Sequence, residues 1–153
     1  MLPNVRLCAL DILARREHSK FELQNKLSAK GFAIGDIARV IQDLVGQGLQ
    51  SDARFVESYV NMRRKRGFGP IRIKAELRER GIDSELSERF LDEYSPIWFE
   101  LAVAVHCKKF GKKIPDDLRE RAKQMRYLYY KGFAADQIKR AFLSSRADTN
   151  VSS

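Results

Sequence analysis

Apolar residues recur at three-to-four spacing along almost the whole chain, and no useful length shows the every-second spacing of a strand. Val5, Cys8, Ile12 and Leu13 share one side of a helix over residues 5–16. Ser19 and Glu22 have capping-box spacing and predict a second helix, running through Leu23, Leu27 and Lys30 to Gly31. Asp36 precedes Ile37, Val40, Ile41, Leu44 and Val45, a third helix that ends near Gly46–Gly48. Ser51-Asp52 opens a fourth, with Phe55, Val56, Tyr59 and Val60 inward. Pro70 has its φ preset and lacks the N–H that a first helical turn leaves unpaired, while Gly81 suits the position just past a helix end. A fifth helix is therefore fixed at both ends, over residues 70–80. Residues 84–94 form a short sixth carrying Leu86, Phe90 and Leu91. Ser95-Pro96 launches a seventh that stops at Gly111. Pro115-Asp116-Asp117 starts an eighth, with a stripe of Leu118, Ala122, Met125 and Tyr129 and a stop at Gly132. Asp136 begins the ninth, with Ile138, Ala141 and Phe142 facing in, before a small polar tail.

These helices repeat as a set. Gly31, Gly81 and Gly132 lie 50 and 51 residues apart. Each has a leucine four residues earlier (Leu27, Leu77, Leu128), a cation just before it (Lys30, Arg80, Lys131) and a large apolar residue just after it (Phe32, Ile82, Phe133). An arginine follows eight residues on in every case: Arg39, Arg89, Arg140. Chance can match one such column, hardly all of them. The expectation is an all-α fold of three tandem three-helix repeats forming an elongated, curved array of either hand, each repeat burying part of its apolar face on its neighbour. The boundaries fall at 1–50, 51–94 and 95–144, with 145–153 a flexible tail.

Charge adds a direction to this picture. The net charge is +9, spread as +1 over residues 1–58, +6 over 59–80, −5 over 81–105, +6 over 106–131 and +1 over 132–153. Two basic blocks around an acidic one suit a polyanion or an acidic protein surface. Cys8 and Cys107 stand far apart with no metal-ligand spacing, and read as small hydrophobes in a reducing compartment. Neither a signal-peptide pattern nor a membrane-length apolar run is found, so the expected place is the cytoplasm.

Catalytic chemistry finds little support. His18, just before a capping serine, reads as a turn residue, and His106 as packed or surface. Asp92-Glu93 and Asp116-Asp117 stand where helix ends place acids, so no metal or catalytic residue is assigned. Gly67-Phe68-Gly69 lacks the preceding strand and the signature of a phosphate loop, which argues against ATP binding, and no cofactor is expected. What stands out is a binding face. Arg63, Arg64, Lys65 and Arg66 close the fourth helix. On the fifth, Arg72 pairs with Glu76, while Lys74 and Arg78 repel at i, i+4, which points to an external anion such as phosphate or carboxylate. Phe68 either anchors the turn or makes a contact. Tyr127, Tyr129 and Tyr130 line the inner face of the last repeat or, alternatively, stack on bases.

With those residues in view, the chain resembles the RecX family, regulators of the RecA recombinase. The resemblance rests on Ala14-Arg15-Arg16-Glu17-His18-Ser19 with Glu22-Leu23 and Lys26-Leu27, then on Asp52, Arg54, Phe55 and Tyr59. Its most specific part is Gly67-Phe68-Gly69-Pro70-x-Arg72-Ile73 with Glu76-Leu77 and Gly81-Ile82. The resemblance implies a non-enzymatic, monomeric protein that lies in the groove of the RecA–DNA filament. There it would inhibit recombinase, ATPase and co-protease activities in DNA repair and the SOS response. Direct contact with single- or double-stranded DNA, and the alternative of a stand-alone helical nucleic-acid-binding protein, stay open. The family supplies no catalytic residue. The contact candidates are Arg63, Arg64, Lys65, Arg66, Phe68, Arg72, Lys74 and Arg78.

Overall fold

A computed structural model describes the backbone of residues 4–151 and the side chains of residues 4–143. Among the described residues there are nine helices and no strand. They are α1 (Val5–Arg15), α2 (Lys20–Ala29), α3 (Ile34–Gly46), α4 (Asp52–Lys65), α5 (Pro70–Glu79), α6 (Ser84–Phe90), α7 (Pro96–Phe110), α8 (Leu118–Lys131) and α9 (Ala135–Val151). The chain is all-helical, in three successive triplets. Side chains of the expected tail, 145–153, lie outside the described residues.

The repeated Leu…cation-Gly-apolar columns have one physical cause. In α2, α5 and α8 the residue after the glycine sends its N–H back to the leucine carbonyl: Phe32 to Leu27 at 3.4 Å, Ile82 to Leu77 at 3.0 Å, Phe133 to Leu128 at 3.1 Å. The glycine N–H reaches the next carbonyl along, that of Ser28, Arg78 or Tyr129. This pair of bonds closes a helix with a left-handed residue at the turn and an apolar contact across it. Gly31, Gly81 and Gly132 accordingly have φ of 93°, 79° and 101°.

By contact the chain divides into two compact units, residues 1–59 with 77–90, and residues 60–76 with 91–153. The core of the first is Ala9 and Ile12 of α1, Leu23 and Leu27 of α2, and Ile37, Ile41 and Leu44 of α3. The expected capping box starts α2: Ser19 Oγ accepts from the Glu22 N–H, and the Glu22 carboxylate accepts from the Ser19 N–H. Ser19 Oγ also donates to the Arg80 carbonyl at 2.7 Å, so the start of α2 covers the end of α5. The core of the second unit is Ala102, Ile114, Leu128, Phe133, Ile138, Ala141 and Phe142. His106 is fully buried there, 2.7 Å from Gln124 Oε1 and with its ring 4.8 Å from Phe142, so it packs.

Three boundaries and one stripe differ from expectation. α8 starts at Leu118, not Pro115, because Ile114 drops into the core on an extended segment and Asp117 then caps the Arg119 N–H. α6 stops at Phe90 because Leu91 is buried and Asp92 folds the chain over, taking the Tyr94 N–H on its side chain and the Ser95 N–H on its carbonyl. α3 begins at Ile34, which puts Asp36 inside its first turn, where the helix dipole favours an acid. The face that α8 buries is set by Gln124 and Leu128, whereas Leu118 and Tyr129 are exposed. The bond between His106 and Gln124 draws a polar residue inward and turns the helix roughly one residue away from the apolar stripe.

His18 does lie in the turn between α1 and α2, but it is buried, at 1% exposure. Nδ1 meets the Arg16 carbonyl at 3.0 Å and Nε2 meets Lys26 Nζ at 2.8 Å. A carbonyl only accepts and an ammonium only donates, so the ring is neutral with its proton on Nδ1. Burial first, and the charges of Arg16 and Lys26 with it, push its pKa below 6.5, against opposing pulls from the Arg16 carbonyl and Glu22. In the unfolded chain the same histidine takes a proton near 6.5. Stability present above that pH is therefore lost as pH falls from it towards the lower folded value. Urea unfolding at pH values on either side of about 6.5 should show the loss, and His18→Gln should reduce the slope.

Candidate functional site

The Gly67-Phe68-Gly69-Pro70 turn does more than reverse the chain. The N–H of Gly69 donates to the Lys131 carbonyl at 2.8 Å, and that of Ile71 to the Gly132 carbonyl at 3.0 Å. The first amides of a helix and the last carbonyls of a helix both lack intrahelical partners. Here the unpaired amides at the start of α5 meet the unpaired carbonyls at the end of α8, positive end to negative end. The approach is too close for side chains. A Cβ on Gly69 would fall 2.4 Å from the Gly132 carbonyl oxygen, and one on Gly132 would fall 2.3 Å from the Arg72 Cβ.

That junction assembles a cationic group on one aromatic ring. Phe68 N–H closes α4 on the Arg63 carbonyl at 3.1 Å, in the same closing pattern as the other helices. Where α2, α3, α5 and α8 place Leu27, Leu44, Leu77 and Leu128 under that closing residue, α4 places Arg63. Its guanidinium carbon lies 3.8 Å from the centre of the Phe68 ring, that of Arg72 lies at 4.4 Å, and Lys131 Nζ at 3.9 Å. Three cations thus stand over one phenyl ring, each gaining from its quadrupole.

Glu76 answers the two arginines. Glu76 takes Arg63 on both oxygens, at 2.8 and 2.7 Å, and Arg72 Nε at 3.2 Å. Arg72 also donates to the Tyr130 carbonyl at 3.2 Å and lies 4.9 Å from the Tyr130 ring. Burial works against its charge, but contacts with Tyr130 and Glu76 outweigh that and raise its pKa. Lys131 goes the other way. Burial, then Arg72 and Arg63, press its pKa below the ordinary lysine range. The group is short of negative charge, and an outside anion would relieve it.

The expected contact residues separate into three sets. Arg63, Phe68 and Arg72 form the group just described, so Phe68 both anchors the turn and carries cations. Arg64 is half-buried and bonds Asn61 at 3.4 Å, while Lys65 and Arg66 are exposed beyond it. Lys74 is half-buried and engaged by a neighbour, and Arg78, one turn on along α5, is exposed. Lys108 and Lys109 belong to no sequence motif, and their one visible signal is the +6 block over residues 106–131, whereas Lys131 also stands out as the cation before Gly132 in the repeat. The expectation that Tyr129 and Tyr130 line an inner face fails: they are 58% and 69% exposed, since Gln124 and Leu128 hold the inward side. Tyr127 is half-buried, edge-on to Phe110 at 5.3 Å.

Comparison with known proteins agrees with this architecture repeat by repeat. Family models described as the first, second and third three-helix domains of RecX match residues 6–44, 51–91 and 98–142. The chain is 42% identical over 142 residues to "Regulatory protein RecX" of Pseudomonas syringae pv. tomato, covering 93% of this chain and 91% of that protein. It is 39% identical over 144 residues to the protein of the same name from Halorhodospira halophila, covering 94% and 89%. Its fold is similar to the crystal structure of RecX from Lactobacillus salivarius, with a TM-score of 0.79 and 25% identity over 94% of this chain and 95% of that one.

The close backbone approach makes a sharp prediction. Gly69→Ala forces the two helix ends apart and should cost about 1–3 kcal/mol in chemical unfolding, the usual range for an overpacked site. Gly35→Ala, in α3 with nothing within 4 Å of the added carbon, should leave stability unchanged or slightly raised.

Proposed function

The chain belongs to the RecX family, and from that premise we propose that it is a non-enzymatic regulator that binds the RecA filament and inhibits it. On this reading it works in the cytoplasm as a monomer, lying in the filament groove and spanning neighbouring subunits. Holding their spacing fixed would limit ATP turnover, strand exchange and co-protease activity together. The observation that carries the reading is the group on Phe68, where Arg63, Arg72 and Lys131 converge on one ring and Glu76 pairs the two arginines. A structural arginine at the closing position of α4 would need only its own partner. Three converging cations suit a surface carboxylate or a phosphate brought by something else.

A stand-alone nucleic-acid role is the second reading, and one observation favours it. Tyr129 and Tyr130 are exposed on a cationic helix end, where bases could stack. Salt separates the two, because binding to naked phosphate backbone falls steeply as salt rises.

The test is RecA ATPase on single-stranded DNA, titrated with this protein. Inhibition near stoichiometric amounts is expected. The exposed double reversal Lys65→Glu with Arg66→Glu should raise the half-inhibiting concentration about tenfold, two rim charges' worth. No inhibition by the unaltered protein at stoichiometry would contradict the reading.

A further inference from the structure

A cavity of about 420 Å³ opens in the second unit, beside the group on Phe68 but distinct from its ring. Its floor is one face of α7, Leu101, Ala104 and Val105. With Lys108 these residues fall at i, i+3, i+4 and i+7, the stripe that a helix presents to a partner. Ala104 is exposed and Leu101 and Val105 are half-buried at the edge of the core, so this stripe lies beside the residues α7 buries fully, Trp98, Ala102 and His106. Gly67 closes one end, where an added Cβ would come within 3.1 Å of Val105 Cγ2.

The rim is entirely basic. Lys65 and Arg66 from the end of α4, Lys108 and Lys109 from α7, and Lys131 from α8 line it, with no Asp or Glu among the described lining residues. Five like charges around an aliphatic floor make a positive potential that favours an acidic visitor. Two kinds of visitor fit the charge. A nucleic-acid strand would bring phosphates and would need an open aromatic face for its bases. Tyr127 is the aromatic residue of the lining, and it is taken: its edge meets Phe110, and Lys109 and Lys131 Nζ stand 5.5 and 6.0 Å from its centre. The floor offers methyl groups instead. Aliphatic side chains flanked by carboxylates match both floor and rim, in the manner of an amphipathic helix laid in a groove.

We propose that this cavity is a docking site for an acidic amphipathic segment of a protein partner, its aliphatic side chains on Leu101, Ala104 and Val105 and its carboxylates on the surrounding lysines. The proposal deepens the regulatory reading and rests on it in one respect, that the partner is a protein.

The experiment uses the full chain and a fluorescein-labelled peptide of repeated Glu-Leu-Leu-Glu, followed by anisotropy. Micromolar binding is expected, abolished in a peptide with lysine for glutamate. Ala104→Glu puts a carboxylate and its bulk on the floor, and Lys108→Glu reverses one rim charge; each should weaken binding about tenfold or more. Both positions are exposed, so the helical circular dichroism and unfolding midpoint should hold and exclude loss of fold as the cause. Peptide affinity unchanged in both variants would overturn the proposal. So would displacement of the peptide by an oligothymidylate that binds more tightly and loses affinity in the same variants, which would make the cavity a strand site. Sedimentation showing a dimer that both variants dissolve would overturn it too, by assigning the cavity to a second copy of the chain. RecA ATPase is titrated in parallel with the same proteins. Peptide binding lost in the variants while the unaltered protein leaves RecA untouched would keep the cavity and remove the RecA reading. RecA inhibition undiminished in variants that no longer bind peptide would keep the RecA reading and show that the segment docking in the cavity is not the RecA contact.

Discussion

Two peptide N–H groups and two carbonyls carry most of the consequences of this fold. The start of α5 and the end of α8 each leave polar backbone groups that a lone helix cannot satisfy. Joining them, Gly69 to Lys131 and Ile71 to Gly132, satisfies both ends without a side chain and aligns two helix dipoles favourably. The condition is contact closer than any Cβ allows, which explains why glycine stands on both sides. In the first unit the start of α2 meets the end of α5 by a related route. Ser19 supplies a hydroxyl to the Arg80 carbonyl, and Phe21 lies where a Cβ on Gly81 would have to go.

From that junction the cationic site follows. Once α8 ends against α5, Lys131 lies beside Phe68, and the ring already carries Arg63 through the closing turn of α4. Arg72 fills the remaining side and reaches back to Tyr130. The side chains are held by backbone geometry and by one another, so little freedom remains to be lost on binding. Glu76 keeps the group from bursting apart, but one carboxylate cannot neutralise it. The basic rim of the α7 cavity continues the same sign of charge through Lys131, which borders both.

Much of this was legible before any coordinates. The capping box at Ser19, the Pro70 start, the glycine stops and the inward residues of α2, α3 and α4 are local matters, decided within a few residues. The repeat columns were visible too, because a helix closed by glycine demands its apolar partners at fixed offsets. What escaped was set by distant neighbours. Nothing near Pro115 says that Ile114 must reach a core built by α9, nor that His106 on α7 will pull Gln124 inward and turn α8. Arg63 looked like one cation of four, and only its position under Phe68 separates it from Arg64, Lys65 and Arg66. Gly69 does not have a positive φ, and the demand on it is purely one of space, set by a helix end far along the chain.

The amides at the start of a helix ordinarily exchange quickly with solvent, and this makes the junction directly measurable. Hydrogen exchange followed residue by residue should find the amides of Gly69 and Ile71 protected to the level of the α7 interior, around Ala102 and His106. If they exchange as fast as the exposed loop at Lys112 and Lys113, the two helix ends are not joined in solution, and the site built upon them does not exist as described.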